Sequence, residues 1–205
     1  MLINENIPTA RAMPRRPLIA NSILGMIFFL ATELMLFAAF ISAYLVNRTN
    51  AGFAWPPPGQ PRLPIEATAL NTAFLIVSGV SLLWAWFSLR QKKSVQKWLW
   101  TTLLTGSIFV LLQGFEWLQL LRFGLTVSSS LYGAFFYLII GAHALHAIAG
   151  LLFLWASLKQ FQKKPELVNL PRPLQSAQSL FPSAALFWGF VVTIWPVIYG
   201  FVYLL

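Results

Sequence analysis

Cysteine is absent from this 205-residue chain, and charge is scarce. Without cysteine there is no disulfide, no thiolate nucleophile and no Cys-ligated zinc or iron–sulfur cluster. Charged residues make up 9% of the chain, against roughly 25% in a soluble domain. Most of this protein is therefore built to face lipid or other helices. No internal repeat, soluble domain or phosphate-binding glycine loop is present. No cleavable signal peptide is evident either; the first apolar run is too long for one and reads as a signal anchor. The net charge of +9 would suit nucleic acid on a soluble protein. Here the basic residues stand at the ends of apolar runs, which is the polytopic membrane pattern.

What the chain does have is long apolar runs, with 58% hydrophobic residues. They predict an all-α membrane bundle of five transmembrane helices, at about 19–46, 66–89, 98–121, 131–158 and 180–205. These form one membrane domain, 19–205, after a polar and basic tail over 1–18 that carries Arg11, Arg15 and Arg16 and reads as mobile. At 1.5 Å per residue the first span reaches about 42 Å, enough to cross core and headgroups. The loop around Trp55-Pro56-Pro57-Pro58 and Pro61 to Pro64 holds too many prolines for a helix. Asn71, Thr72, Ser78, Gly79 and Ser81 give the second span a polar side, which should pack on other helices. Lys159 to Ser179 reads as a polar connection, and Pro196 should kink the last span. Eleven lysines and arginines fall on the side of the tail and three on the other. That bias sets the N-terminus inside and the C-terminus outside. Trp84, Trp86, Trp98, Trp100 and Trp155 cluster near the same inner ends, as an aromatic belt would.

Ionisable groups inside such spans are expensive and normally face protein. His143 and His146, the only two histidines, lie mid-span and about 60° apart on a helix, so they share one face. Small neighbours such as Ala142, Ala147, Ala149 and Gly150 let another helix approach. Glu33 is central in the first span, at about the same depth. If the carboxyl meets an imidazole, the two share a proton and both desolvation costs fall; His146, whose face carries Ala142 and Ala149, is the favoured partner. Three readings stand open. The pair fixes helix register, or it is a proton site, or Glu33 and both histidines form a metal-binding facial triad. Gln113 and Glu116 form a second polar pair near the outer end of the third span, where Glu116 could cap or pair with Arg122.

At these residues the chain resembles subunit III of the haem–copper oxidases. Ala31-Thr32-Glu33-Leu34-Met35-Leu36-Phe37 is similar to the family's glutamate helix, and Trp55-Pro56-Pro57-Pro58 to the loop after it in bacterial members. Gln113-Gly114-Phe115-Glu116-Trp117 resembles a Gln-Gly-aromatic-Glu-aromatic segment. Tyr132-Gly133 through Gly141-Ala142-His143-Ala144-Leu145-His146 resembles the family's two-histidine segment. Larger members have seven spans where this chain has five. The family's Trp-His-Phe-Val-Asp is here Trp188-Gly189-Phe190-Val191-Val192, without the histidine and aspartate. The resemblance implies a non-redox subunit of a respiratory cytochrome c oxidase in a bacterial plasma membrane. In it the haems and copper sit in partner subunits. This chain would have no catalytic, cofactor-binding or metal-ligating residue of its own. It would pack on subunit I, in a complex with subunit II, bind phospholipids and support proton uptake. Equivalent subunits of a quinol oxidase or a nitric oxide reductase, and a stand-alone proton-coupled transporter, are the alternatives.

Overall fold

The structure is a computed structural model that describes residues 21–52, 55–59 and 63–204. The tail over 1–18, with its three arginines, lies outside the described residues, as do Gln60 to Arg62 of the proline loop. The described chain is helical with no strand among the described residues. Its order is α1 (Asn21–Ala51), α2 (Ile65–Arg90), α3 (Gln96–Arg122), α4 (Leu131–Lys163), a 3₁₀ turn (Pro165–Asn169), α5 (Arg172–Gln178), α6 (Phe181–Tyr199) and a closing π turn (Gly200–Leu204). Five helices are long and apolar enough to cross a membrane: α1, α2, α3, α4, and α6 with its π turn. They run past the apolar stretches by up to five residues at the ends of α1 and α4. A helix already formed continues into the interface, where its polar residues reach water.

The buried residues explain how the helices associate. In α2 they include Thr68, Asn71, Leu75, Ser78, Leu82, Ala85 and Leu89. In α3 they include Leu99, Thr102, Gly106, Phe109, Gln113, Glu116 and Leu120. Steps of three and four alternate in both, which is the period of left-handed bundle packing. The same rhythm runs through Phe136, Ile140, His143, Ala147, Gly150, Leu154 and Phe161 of α4, and Ala184, Trp188, Val191, Trp195 and Ile198 of α6. Contacts between α2 and α3, α3 and α4, α4 and α6, and α6 and α2 close these four helices into a ring. Only Phe37, Ile41 and Tyr44 of α1 are buried, because α1 lies outside the ring in the groove between α4 and α6.

Lipid tails are as apolar as leucine, so close packing and hydrogen bonds must hold such a ring together. Trp188 supplies both at its centre. A Cβ added at Gly106 would lie 2.7 Å from its ring, and one at Gly150 2.8 Å. These glycines let α3 and α4 close on α6. On the third side, Trp188 Nε1 donates to Ser78 Oγ of α2 at 3.2 Å. Two turns further, Trp195 Nε1 donates to Thr72 Oγ1 at 2.8 Å. The polar side of α2 thus packs inward, and Ser81 and Thr102 join α2 to α3 at 2.8 Å. α6 runs through Pro196 as helix and widens to the π turn at Gly200.

The two ends differ. At one, Trp55 of the proline loop packs edge-on between Tyr44 and Tyr132 and donates to Tyr44 Oη at 3.2 Å. At the other, the polar connection is more ordered than its composition suggested. Gln160 of α4 donates to Gln178 O at 2.8 Å and accepts from Leu180 N at 2.8 Å. Gln175 donates to Leu167 O at 2.9 Å. These amide bonds fold the segment into the 3₁₀ turn and α5. On the same end α2 closes in a Schellman turn: Lys93 N donates to Ser88 O at 2.9 Å and Lys92 N to Leu89 O at 3.0 Å. The residue at its left-handed position is Lys92, φ 55°, where glycine is usual and a side chain costs about 1 kcal/mol. Arg90, Lys97 and Lys159 sit over the rings of Trp86, Trp98 and Trp155 at 5.6, 5.7 and 5.5 Å.

Candidate functional site

The alternating register decides which histidine goes where. His143 falls on the inner seam of α4 and is buried. His146 falls one position before the seam residue Ala147, which turns it toward α1. Its Nε2 lies 2.9 Å from Glu33 Oε2, and the two side chains are 13% and 16% exposed. Aromatic rings enclose the pair: Phe37 at 5.4 Å and Phe187, stacked, at 6.0 Å from the imidazole. Phe29 stacks in turn on Phe187 at 6.1 Å.

The imidazole is also held from its other side. His146 Nδ1 is 2.7 Å from Ala142 O, one helical turn back. A carbonyl only accepts, so Nδ1 carries a hydrogen. The Nε2–Oε2 contact then needs one hydrogen more. It resides on the carboxyl with a neutral imidazole, or on Nε2 with a carboxylate. Both forms have the same proton count, so the pair as built holds one proton in its bridge.

His143 does not join them. Neither ring nitrogen has a hydrogen-bond partner among the described residues. The ring leans on Trp195 at 4.8 Å and lies edge-on to Phe109 at 6.1 Å and Phe37 at 6.5 Å. The facial triad is therefore not assembled, and among the described residues no group of three or more His, Cys, Asp or Glu could hold a metal ion. A haem fits no better. His146 is spent on Glu33 and Ala142, and the cavity that His143 lines with Phe109, Trp117 and Ile140 measures about 130 Å³, below the size of small-ligand sites.

Gln113 and Glu116 correct the sequence reading. Both lie on the inner seam of α3, 3% and 5% exposed, so Glu116 faces away from Arg122. Its Oε2 meets Thr68 Oγ1 at 2.9 Å and accepts from Gln113 Nε2 at 3.1 Å. Gln113 also donates to Tyr203 Oη at 3.3 Å, and Asn71 donates to Phe109 O at 3.2 Å and to Gln113 Oε1 at 3.4 Å. The cluster joins α2, α3 and the π turn, and the carboxyl meets no cation among the described residues. Sequence reasoning did not single out Thr68 and Tyr203. The three-and-four spacing from Thr68 through Asn71 to Leu75 was the available signal.

Fold and site together define a class: a multi-pass membrane protein whose polar groups are internal to the bundle and whose described residues offer no metal site. The sequence model of cytochrome c oxidase subunit III matches residues 17–205. Cytochrome c oxidase subunit 3 of Oryctolagus cuniculus is 35% identical over 187 residues, covering 87% of this chain and 67% of the relative. The proteins of the same name from Locusta migratoria and Mus musculus are each 34% identical with the same coverage. The chain belongs to the cytochrome c oxidase subunit III family. That family consists of membrane-bound subunits of an oxidoreductase complex.

Proposed function

We propose that this chain is the non-redox subunit III of a haem–copper terminal oxidase, in which it stabilises the catalytic subunit and supports proton uptake. The haems and copper belong to partner subunits, with subunit I the direct helix neighbour and subunit II in the same complex, in a bacterial plasma membrane. The observation that carries the reading is the Glu33–His146 bridge, a one-proton pair between the middles of α1 and α4, with α1 the most exposed of the spanning helices. Intramembrane carboxylate–histidine pairs are the material of proton relays. Five spans without repeated halves or broken helices favour a subunit over a transporter, which needs both. The excess of basic residues and the cation-capped tryptophans where α2 and α4 end and α3 begins support that end facing the cytoplasm.

The test is purification of the complex through a tag on this chain. Haem bands should co-purify, and their type and the electron donor distinguish cytochrome c oxidase from quinol oxidase and nitric oxide reductase. In that complex Glu33→Gln should leave the initial electron-transfer rate within about twofold and hasten loss of activity during turnover. Purification without haem, or turnover-dependent inactivation unchanged by Glu33→Gln, overturns the proposal.

A further inference from the structure

We propose that the small cavity between α3 and α4 is a binding site for ordered water, held by His143, Trp117 and Gln113. The cavity measures about 130 Å³. That is too small for an organic ligand, whereas one water needs only about 10–15 Å³ of such space. Phe109, Gln113 and Trp117 of α3 and Ile140 and His143 of α4 are among its walls. His143 is 1% exposed and Gln113 3%, so both polar side chains are fixed in the bundle and not at its surface.

Three observations point to water. First, the buried side-chain atoms left without a hydrogen bond gather here. Among the described residues they are both ring nitrogens of His143, Trp117 Nε1 and Asn71 Oδ1. His143 and Trp117 line the cavity, and Asn71 donates to Gln113, which lines it too. A buried polar atom without a partner bears its whole desolvation cost, so a cluster of them calls for a shared polar occupant. Second, the set suits a molecule that both donates and accepts. A neutral imidazole has one N–H and one bare nitrogen. Aromatic neighbours such as Phe109 and Phe37 accept an N–H at best. The bare nitrogen needs a donor, and the Trp117 indole, which only donates, needs an acceptor. One water serves both by donating to His143 and accepting from Trp117. A cation finds no counter-charge, because no described carboxylate lines the cavity. Third, Gln113 keeps capacity to accept. Its Oε1 takes one long bond, from Asn71 at 3.4 Å, which leaves a lone pair for a second water. Gln113 Nε2 donates to Glu116 Oε2 at 3.1 Å, so the waters extend the Thr68–Glu116 cluster to α4. His143 thereby belongs to a hydrated network separate from the Glu33–His146 bridge.

The test is a crystal structure of the purified protein with its accompanying subunits, at a resolution that shows ordered water, with and without xenon under pressure. The wild type should show water within about 3.2 Å of a His143 nitrogen and of Trp117 Nε1, and no xenon in the cavity. Xenon is the probe of dryness, because it enters apolar cavities that exclude water. His143→Phe keeps an aromatic ring against Trp195 and removes both nitrogens. That variant should lose the water at position 143 and admit xenon. A wild-type cavity that holds no water, that takes up xenon, or that is filled by a side chain of another subunit overturns the proposal. Water kept at the same place in His143→Phe overturns the role of His143 in holding it. The two wild-type structures decide the question even where the variant does not assemble.

Discussion

The described spans take in two carboxyls away from their ends, Glu116 buried and Glu33 partly buried, and accommodate each differently. Glu116 sits in the closed ring, on the α3 seam, and its partners Thr68 and Gln113 are neutral. Every contact there is short-range and comes from helices locked by their own packing. Glu33 sits on α1, the spanning helix with the fewest buried residues, and its partner is an imidazole on α4. Where packing is dense, the carboxyl adds one hydrogen-bonded cluster among many contacts. Where packing is sparse, the carboxyl meets a histidine in one bridge between α1 and α4. The difference teaches that one chain can hold a carboxyl within its spans in two ways, among neutral hydrogen-bond partners where helices pack densely and against a histidine where they do not.

The largest effect should come from stranding one partner of the bridge. His146→Ala leaves the Glu33 carboxyl without its partner, and the expected loss is roughly 3–5 kcal/mol if the pair is ionic and less if it is neutral. It is read as thermal stability of the complex in detergent. His146→Ala combined with Glu33→Ala should cost less than the sum of the singles; a sum that is additive would show that the two do not interact. Next in size is Gly150→Ala, whose methyl group has to displace the Trp188 ring from 2.8 Å. We expect a loss of about 1–3 kcal/mol, and full tolerance by the same melting assay would mean that the ring of four helices is looser than described.

Smaller still are the two glutamate-to-glutamine changes. In Glu116→Gln the new amide oxygen still accepts from Thr68 and Gln113, so the cost should be about 1 kcal/mol or less. In Glu33→Gln the new amide donates a hydrogen to His146 Nε2, which keeps the bridge while Nδ1 stays on Ala142 O. That change should therefore be mild in stability, again about 1 kcal/mol, while removing the exchangeable bridging proton. A melting loss for Glu116→Gln as large as that for His146→Ala would erase the distinction between the two carboxyls. The smallest expected change concerns topology alone. Gly59→Cys should react with an impermeant reagent from outside intact cells and Lys93→Cys only after lysis, with stability unchanged. The reverse pattern would invert the orientation.

Hydropathy made the five spans legible, because a run of twenty apolar residues has few other uses. Depth in the span made the Glu33–His146 pairing legible, since two isolated ionisable groups at one level have strong reason to meet. Other features were present in the sequence at a different scale. Arg122 is the nearest cation to Glu116 along the chain, yet the three-and-four register of α3 puts that glutamate on the inner seam with Gln113. The same register separates His143 from His146, though the two look like one constellation. The folding of Pro165 to Gln178 was not legible at all. A seven-residue helix with proline in its first turn has little stability of its own. Its shape is set by side-chain bonds from Gln160 and Gln175 to backbone groups, and a polar composition does not announce those.

The two tryptophan rungs of α6 have a mechanical consequence. Trp188 to Ser78 and Trp195 to Thr72 tie antiparallel helices at two heights, seven residues apart on one and six on the other. Sliding α6 along α2 by one turn, about 5.4 Å, would tear both rungs at once, so this pair resists shear as a ladder does. Between its ends α1 is held by its few buried side chains and by the bridge at Glu33, and it stands outside the ladder. A pull on the chain from the α1 side therefore meets a joint that peels, bond by bond, before it meets one that must shear.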